Sequence, residues 1–462
     1  MKLFTNNQIR KFYDQIIERG LALPADMTQA AAVAMSNEIM SRWQSDHEII
    51  VFAGPGGNGA DAMALGSQLA TEGYKVKIML FNVLNHLSTL CSRLRDTLQT
   101  DANIEFEEVQ TGEFMVPALG KDSIVIDGLF GSGLEQPLSG GFQSLVDYIN
   151  SSSATIVSID IPSGLFGENN EKVLDRNVIH ATLTLAIGFP RRSFLFSDTA
   201  SYVGEWKIIE SNIMSREAKT EFTDCYWFEP SDATSILKPR AANTSKNDYG
   251  SVLMVAGTYG MMGAAQMAAM GALRAGVGRL TVHSPLCGFQ IMQTAVPEAM
   301  FQADTNKIVV SEVPLKHNYD VIALGPGLGT HEYTQKAIEE LITTGNKKPM
   351  VIDADALNCI ARHPSLLESA YPLTILTPHV DEFDRMFGES TSDEARLRLA
   401  LDRAEHYDIV ILLKGNPTMV VRPDRKFHIV TTGTPALATP GSGDVLTGII
   451  SALLAQGNMP DI

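Results

Sequence analysis

The residues that suggest chemistry most directly are the turn Gly-Ser-Gly-Asp at 441–444 and the apolar stretch VLTGIISALLAQ that follows it. The glycines leave backbone N–H groups open at the start of a predicted helix, where the helix dipole also stabilises negative charge. A carboxylate at Asp444 would stand beside these groups and could take a proton from a hydroxyl that attacks a nucleotide phosphate. The turn therefore predicts a phosphoryl-transfer site, although an Asp that merely caps the helix would fit the same letters.

Four further stretches in the second half place polar residues where buried strands are predicted to end. They are GPGLG at 325–329, VIDADALN at 351–358, TPHVDEF at 377–383 and LLKGNPT at 412–418. His379 and Glu382 do not predict zinc, because no second histidine or cysteine is suitably spaced. Ligands of α/β sheets bind at the carboxyl ends of the strands. As a set, these loops indicate a nucleotide-dependent active site.

Three glycine-bearing loops follow predicted strands in the first half. They are GPGGNGADAMALG at 54–66, DGLFGSGLEQP at 127–137 and DIPSG at 160–164. The spacing of Gly54, Gly56 and Gly59 matches a dinucleotide fingerprint, but that match alone is weak. A helix that begins after such a loop would favour a phosphate. Three such loops at one sheet edge predict a second binding site.

Side-chain oxygens in these loops could meet around a cation. Asn58, Asp127 and Ser163 offer oxygen donors with a single formal charge, which suit an alkali or alkaline-earth ion rather than zinc. Asp160, at the end of its strand, is the remaining acid best placed for proton transfer. Taken alone, each acid is more often a helix cap or a turn residue.

Short apolar runs alternate with alanine-rich helical patterns along the whole chain, which is typical of an α/β protein with parallel sheets. The predicted strands are EIIVFAG, YKVKIMLF, SIVIDGLFG and ATIVSIDIPSG in the first half and GSVLMVAG, GRLTVHSP, YDVIALGPG, PMVIDADA, LTILTPH and IVILLKG in the second. A polar stretch without clear periodicity at 212–235 predicts a boundary between two domains, residues 1–215 and residues 230–462. The methionine-rich segment GMMGAAQMAAMGALRAG is predicted to pack in a core.

Composition restricts the class of protein. The 462 residues carry a net charge of −17, which disfavours nucleic acid and anionic membranes as partners. The four cysteines lack metal-binding spacing, so free thiols in a reducing compartment are expected. No stretch approaches the roughly 18 apolar residues of a membrane span, and the N-terminus lacks the apolar region of a secretory signal. A cytoplasmic protein is therefore expected.

The motifs in combination resemble one family. GPGxNGxD, IDGLFGSGL and DIPSGL, followed by VAGxxGMxGAA, GPGLG, DADALN, TPHxxEF, KGxxT and GSGDVLxGxI, are similar to the bifunctional NAD(P)H-hydrate repair enzymes over nearly the whole chain. The resemblance implies an N-terminal Rossmann-like three-layer domain with NAD(P)HX epimerase activity and a C-terminal ribokinase-like α/β domain with NAD(P)HX dehydratase activity. It further implies ADP or ATP as co-substrate, Mg²⁺ in the C-terminal domain, K⁺ in the N-terminal domain and a homo-oligomer. Arg191 stands where related sequences often have a lysine.

The resemblance also implies roles for individual residues. Asp444 and Asp160 would be catalytic, and Asn58, Asp127 and Ser163 would hold the potassium ion. The hydrated coenzyme would contact Gly57, Asn58, Gly59, Ala60, Asp61, Gly131, Ser132, Gly133, Leu134, Glu135, Gln136, Pro137 and Asp160 in the epimerase, and Ala264, Gly327, Gly329, His379 and Asp444 in the dehydratase. The adenine nucleotide would contact Lys414, Gly415, Asn416, Pro417, Thr418 and Gly443.

Two other interpretations fit the same residues. A ribokinase-like kinase for a vitamin precursor would also use Asp444, but it would leave the phosphate on its product. In the second alternative, the first domain serves only for binding or dimerisation. The dehydratase phosphorylates the hydroxyl of the hydrated nicotinamide ring and releases phosphate, so the fate of the phosphate distinguishes the kinase from the dehydratase.

Overall fold

The computed structural model describes residues 1–110, 114–173, 177–237, 239–344 and 348–459. The chain divides into two compact units, one spanning Lys2–Thr223 and one beginning at Asp224, with Met1 grouped in the second. The division falls within the polar stretch 212–235, which contains short helices and a strand and is not a featureless linker. The predicted C-terminal limit at 462 lies outside the described residues.

The N-terminal unit is built on a sheet of seven parallel strands, preceded in the chain by the short strand β1 (Lys2–Leu3). The seven strands of the sheet are β2 (Glu48–Ala53), β3 (Lys75–Phe81), β4 (Ile104–Val109), β5 (Ser123–Gly128), β6 (Thr155–Ile159), β7 (Leu183–Ile187) and β8 (Glu205–Ile209). Its helices are α1 (Asn6–Glu18), α2 (Pro24–Met40), α3 (Gly57–Thr71), α4 (Thr89–Leu98), α5 (Gly141–Asn150), α6 (Ala200–Val203) and α7 (Asn212–Glu217). The sheet has the order β4-β3-β2-β5-β6-β7-β8, and all its pairings are parallel.

This sheet is covered on both faces, which explains its continuous apolar strands. Successive side chains of a strand point to opposite faces. Ile49 and Val51 of β2 pack in a cluster with residues of α2 and α3, whereas Ile50 and Phe52 pack in a second cluster with residues of α5. The unit therefore has three layers, as the sequence predicted.

The C-terminal unit also contains one large sheet. Its strands are β9 (Cys225–Phe228), β10 (Ser251–Val255), β11 (Arg279–Ser284), β12 (Met300–Ala303), β13 (Val321–Leu324), β14 (Met350–Ile352), β15 (Ile375–Leu376), β16 (Val410–Leu413), β17 (Thr418–Val421) and β18 (Phe427–Val430). Its helices are α8 (Pro230–Ile236), α9 (Met262–Arg274), α10 (Phe289–Ala295), α11 (Glu332–Thr343), α12 (Ala354–Ile360), α13 (Val380–Phe387), α14 (Asp393–Tyr407) and α15 (Ser442–Ala455).

Most of this second sheet is parallel, but one end is not. The strands of the unit follow the order β9-β18-β17-β16-β15-β14-β13-β10-β11-β12. Along this order, every pairing in the segment β16-β15-β14-β13-β10-β11-β12 is parallel, whereas β17 is antiparallel to both β16 and β18. β17 and β18 were not among the predicted strands, and the predicted strands of this sheet are all parallel. The connection between β16 and β17 is too short for a crossover helix, so the chain must turn back on itself.

The methionine-rich segment forms α9, and its small residues pack against α15. Ala265, Ala268, Ala269 and Ala272 of α9 are fully buried, which confirms the predicted core role, while Met261 and Met270 are exposed. A Cβ atom on Gly448 of α15 would lie 2.0 Å from the Ala268 carbonyl oxygen. The close approach of the two helices therefore requires glycine at that position.

Cysteine placement and helix length agree with the expectations from composition. The four thiols are free; Cys91, Cys225 and Cys359 are buried, and Cys287 is partly exposed. In the described part of the chain, every helix is too short or too polar to cross a lipid bilayer.

Candidate active sites

The three polar loops of the N-terminal unit meet at one edge of its sheet, as predicted. They follow β2, β5 and β6, which are neighbours in the sheet and run parallel. The strand order reverses between β2 and β5, because the chain builds outward from β2 to β4 on one side and from β5 to β8 on the other. Ligands of open α/β sheets bind at such a switch point. The topology therefore marks this edge as the candidate site.

Two glycines allow the loops to come this close. A Cβ atom on Gly54 would lie 1.8 Å from the Leu129 carbonyl oxygen, and one on Gly59 would lie 1.8 Å from the Gly54 carbonyl oxygen. The interpretation of residues 57–61 as loop is wrong, because α3 already begins at Gly57. Glycine is a poor helix former, yet here it lets the first turn of α3 pack directly on the preceding strand end.

Asp127 and Ser163 are joined, and Asn58 lies nearby. Asp127 is fully buried, and its carboxylate accepts hydrogen bonds from Ser163 Oγ at 2.5 Å, Ser158 Oγ at 2.8 Å and the Ser163 backbone N–H at 2.9 Å. Burial raises the pKa of Asp127 against the opposing effect of these bonds. A Cβ atom on Gly131 would lie 3.0 Å from Asn58 Cγ, so the amide borders this cluster.

These residues fit a weakly bound cation such as potassium. Within the described residues, Asn58 Nδ2 is buried and makes no hydrogen bond, so the amide orientation is not fixed by a protein partner. A cation would compensate the desolvated Asp127 carboxylate and would favour an Asn58 oxygen turned toward it. In the same described part of the chain, no cluster of three or more His, Cys, Asp or Glu side chains is arranged around a metal position. Neutral oxygens would therefore supply much of the coordination.

Asp160 follows β6 in a constrained conformation. Its φ is +65°, a left-handed value that is uncommon for residues other than glycine, and its backbone N–H donates to the Leu185 carbonyl at 2.8 Å. The carboxylate accepts a hydrogen bond from Arg191 Nη2 at 2.6 Å. Arg191 is almost completely buried. The predicted catalytic acid is thus an oriented carboxylate next to a buried cation.

Asp61 differs from Asp160 in its electrostatic environment. Its Oδ1 accepts a hydrogen bond from Thr28 Oγ1 of α2 at 2.5 Å. Burial, and to a smaller extent the charge of Asp160, raise the pKa of Asp61 to about 7, although the Thr28 bond acts in the opposite direction. The site therefore combines one carboxylate paired with an arginine and one carboxyl group that is largely protonated below neutral pH.

Asp61→Asn is expected to stabilise the protein at pH 8 but not near pH 4. A carboxyl group with a raised folded-state pKa retains its proton while the unfolded chain releases it, so the parent loses stability as pH rises from about 4 to 7. The loss is at most about 4 kcal/mol for a shift of this size. Urea unfolding at several pH values measures it. Asp26→Asn, an exposed acid in α2, is the matched control. Equal pH dependence in Asp61→Asn and parent would contradict the assignment.

The polar loops of the C-terminal unit likewise meet at one sheet edge. They follow β13, β14, β15 and β16, which are consecutive neighbours in the sheet and run parallel. Asp353 lies at the centre: its buried carboxylate accepts hydrogen bonds from Lys414 Nζ at 2.8 Å and from Thr447 Oγ1 of α15 at 2.6 Å. Asp353 therefore ties the end of β16 to the first turns of α15.

Asp444 lies in the first turn of α15, behind a glycine that shapes the turn. Gly441 caps the helix with φ +89°, which glycine adopts without strain. Burial raises the pKa of Asp444; the negative charges of Asp353 and Asp355 add to this effect, whereas Lys414 opposes it. A half-buried carboxylate at a helix N-terminus, close to a lysine, has the arrangement expected for a base beside a phosphate-binding turn.

The other predicted contacts border the same edge. A Cβ atom on Gly327 would lie 2.9 Å from Ala264 Cβ, so these two residues are adjacent. The Gly329 N–H donates to Asp355 Oδ2 at 2.8 Å. His379 caps α13 by accepting a hydrogen bond from the Glu382 N–H at 3.3 Å, and its side chain is about half exposed at 49%. His379 therefore has a structural role as the N-cap of α13, and a contact with a ligand would use the exposed part of its ring.

The stretch 414–418 joins β16 to β17, and Thr418 is the first residue of β17. A Cβ atom on Gly443 would lie 3.6 Å from Lys414 Nζ, so the two predicted nucleotide contacts lie side by side. In the N-terminal unit, by contrast, Glu135 and Gln136 are exposed at the tip of the loop 131–137. The contacts of these residues with coenzyme and nucleotide stay predictions.

Sequence reasoning missed several residues that shape these sites. Thr447, which binds Asp353, lies three residues after Asp444 and so on the same helix face, a spacing that could have indicated it. Thr28 and Asn6 come from helices remote in sequence from the loops they contact. Arg191 was singled out only as a departure from related sequences, and its buried contact with Asp160 has no local sequence signal.

Comparisons with known proteins agree with this architecture. Residues 252–461 match the family model described as NAD(P)H-hydrate dehydratase, and residues 24–193 match the YjeF-related protein N-terminus. The bifunctional NAD(P)H-hydrate repair enzyme Nnr of Coxiella burnetii is 30% identical over 460 residues, covering 98% of this chain and 90% of that protein. The enzyme of the same name from Escherichia coli is 29% identical and covers 96% and 82%.

A solved structure of an ADP/ATP-dependent NAD(P)H-hydrate dehydratase from Bacillus subtilis, co-crystallised with ATP and Mg²⁺, is 33% identical to this chain. The match covers 51% of this chain and 83% of that one, with a TM-score of 0.45. The chain is a two-unit α/β protein, and each unit is matched by one of the two family models. It belongs to the family of bifunctional NAD(P)H-hydrate repair enzymes.

Proposed function

We propose that this chain repairs hydrated NADH and NADPH. The C-terminal unit dehydrates S-NAD(P)HX with consumption of ADP or ATP, and the N-terminal unit interconverts R- and S-NAD(P)HX so that both epimers are recovered. The observation that carries the proposal is the arrangement of Asp444 at the start of α15, beside Lys414 and the glycine turn that caps the helix. Membership of the repair-enzyme family supports the choice of substrate.

The dehydration proceeds in two steps, phosphorylation of the ring hydroxyl and expulsion of phosphate. Asp444 takes the proton of the ring hydroxyl while the hydroxyl oxygen forms a bond to the terminal phosphorus of the nucleotide, whose bridging P–O bond breaks. The product nucleotide is AMP from ADP or ADP from ATP. The ring nitrogen then expels phosphate with the C–O bonding pair, and loss of a proton from the neighbouring ring carbon restores the reduced nicotinamide.

The backbone N–H groups at the start of α15 would stabilise the charge that develops on the transferring phosphoryl group. Lys414, held by Asp353, adds a positive charge at the same edge. Mg²⁺ would arrive with the nucleotide and would neutralise phosphate charge when bound, and Asp355 and Asp444 are oxygen donors of the kind that it accepts. The proposed nucleotide contacts are Lys414, Gly415, Asn416, Pro417, Thr418 and Gly443.

In the epimerase, Asp160 is the proposed group that exchanges a proton with the bound hydrate. The first turn of α3 and the loop 131–137 would hold the substrate at the switch point between β2 and β5. Potassium, held by Asn58, Asp127 and Ser163, would supply fixed positive charge beside the loops. We further propose that the chain forms a homo-oligomer. A cytoplasmic location is proposed because free thiols suit a reducing compartment.

The function is tested by mixing the purified full chain with chemically hydrated NADH, Mg²⁺ and either ADP or ATP. We expect the absorbance of the reduced nicotinamide to recover, with one phosphate released for each coenzyme restored. Omission of the nucleotide should stop the reaction, and comparison of ADP with ATP identifies the co-substrate. A phosphorylated product that accumulates without release of phosphate would overturn the proposal in favour of a kinase.

A further inference from the structure

Arg191 is a buried cation whose three partners all lie around the epimerase site. Its side chain is 1% exposed. Nη2 donates to Asp160 Oδ1 at 2.6 Å, Nε donates to Asn6 Oδ1 at 3.0 Å, and Nη1 donates to the Phe189 carbonyl. A buried guanidinium is retained only where its charge and its donors are satisfied. Here the only charged partner in that set is the proposed catalytic carboxylate.

Asn6 continues this chain of contacts to the substrate loop. It is the first residue of α1 and is nearly buried. While its Oδ1 accepts from Arg191, its Nδ2 donates to the Ser132 carbonyl at 3.2 Å, and its backbone N–H donates to Glu168 Oε1 at 2.8 Å. A Cβ atom on Gly167 would lie 2.4 Å from Asn6 Oδ1, so the amide occupies the space that a side chain at position 167 would need.

We propose that Arg191 and Asn6 are positioning residues of the epimerase, which hold Asp160 as an oriented carboxylate and fix it relative to the loop 131–137. The inference rests on the proposed epimerase function. The amide of Asn6 fixes the guanidinium plane, and the guanidinium then fixes the carboxylate. Because Asn6 also holds the Ser132 carbonyl, one side chain sets the separation between the acid and the loop that would hold the hydrate.

The electrostatics agree with this assignment. Asp160 is paired with Arg191 and is close enough to Asp61 of α3 to raise the pKa of that residue, while Glu168 accepts a hydrogen bond from the backbone N–H of Asn6. Arg191 is therefore a positive charge that offsets the nearby acid. Lysine at this position would keep the charge, but it cannot donate to Asp160, Asn6 and Phe189 with the planar geometry of arginine.

The test compares Arg191→Met, Arg191→Lys and Asn6→Ala with the parent in the full chain, measuring kcat and KM for R-to-S interconversion of NADHX. Arg191→Met should lower kcat by about 10²-fold with little change in KM, since the carboxylate loses the group that orients it. Arg191→Lys should recover most of kcat. Arg93→Met, which removes an exposed charge from α4 of the same unit, is the matched control and should behave as the parent.

An unchanged kcat in Arg191→Met, or equal losses of kcat in the methionine and lysine variants, would overturn the positioning role. Dehydration by the same samples reports whether the C-terminal unit remains folded, and hydrogen–deuterium exchange in the central strands β2 and β5 reports the same for the N-terminal unit. Should Arg191→Met fail to fold, the milder Asn6→Ala variant decides. It should speed hydrogen–deuterium exchange in the loop 131–137 and lower epimerisation at least tenfold, and unchanged exchange would exclude the link to Ser132. If the parent itself does not epimerise, the proposed function fails, and the exchange measurement still judges the Asn6 contact.

Discussion

Asp444→Asn is expected to slow the nucleotide-dependent recovery of reduced coenzyme by about 10²- to 10⁴-fold, the usual contribution of a positioned general base. Asparagine keeps the size of the side chain and leaves the N–H groups of α15 in place, but it cannot accept the proton of the ring hydroxyl. Nucleotide binding should therefore persist while kcat falls. The absorbance of the reduced nicotinamide, followed with hydrated NADH and saturating nucleotide, measures the loss.

The pH profile gives a second reading of the same residue. Because burial and the neighbouring acids Asp353 and Asp355 raise the pKa of Asp444, the base form is populated only above that raised value. The parent rate should therefore fall as pH is lowered through it. Asp402→Asn, a change at an exposed acid in α14, is the control and should leave both rate and profile unchanged. Recovery at the parent rate in Asp444→Asn would disprove the assignment.

Asp160→Asn is expected to reduce interconversion of R- and S-NADHX by about 10²-fold or more, since the amide cannot exchange a proton with the substrate. Arg191 would also lose its charged partner and remain buried, which destabilises the unit. The dehydratase should be spared. The two activities are separated by supplying pure S-NADHX to one assay and pure R-NADHX to the other.

The contrast between the two assays is the control for this variant. Dehydration of S-NADHX at the parent rate shows that the C-terminal unit is folded, and a circular dichroism spectrum like that of the parent shows the same for the N-terminal unit. A loss confined to R-NADHX then assigns the defect to the epimerase chemistry. Spontaneous epimerisation must be subtracted with a sample that contains no protein. Unchanged enzymatic interconversion in Asp160→Asn would remove this residue from the mechanism.

The sequence was most informative where local pattern and packing agree. Each of the ten apolar runs contains an observed strand, because strands buried on both faces need continuous apolar residues. β4, an edge strand that is buried only at its first and last residues, lacks such a run and was missed. The start of α3 at Gly57 was also missed, because glycines are poor helix formers; Gly59 packs against Gly54, and Gly66 packs against β2 and β3.

The sequence predicted where the candidate site residues lie, but not which distant residues form hydrogen bonds with them. Asp160 and Asp444 stand at strand and helix ends that the pattern marks. Their partners come from distant parts of the chain: Arg191 lies 31 residues after Asp160, and Asn6 lies 185 residues before Arg191. Likewise, the raised pKa of Asp61 depends on burial beneath α2. Periodicity cannot report contacts of this kind, because they arise from tertiary packing.

The glycine contact between α9 and α15 has a consequence for how the dehydratase can move. A methyl group at Gly448 would strike the main chain of α9 at Ala268, and one at Gly271 would lie 2.5 Å from the Val445 carbonyl oxygen of α15. Because the two backbones are in direct contact at these glycines, α9 and α15 are expected to move together, and Ala264 and Asp444 with them. Closure over the coenzyme would then involve the surrounding loops. A larger residue at Gly448, one turn after Asp444, is expected to separate the helices and lower the dehydratase activity.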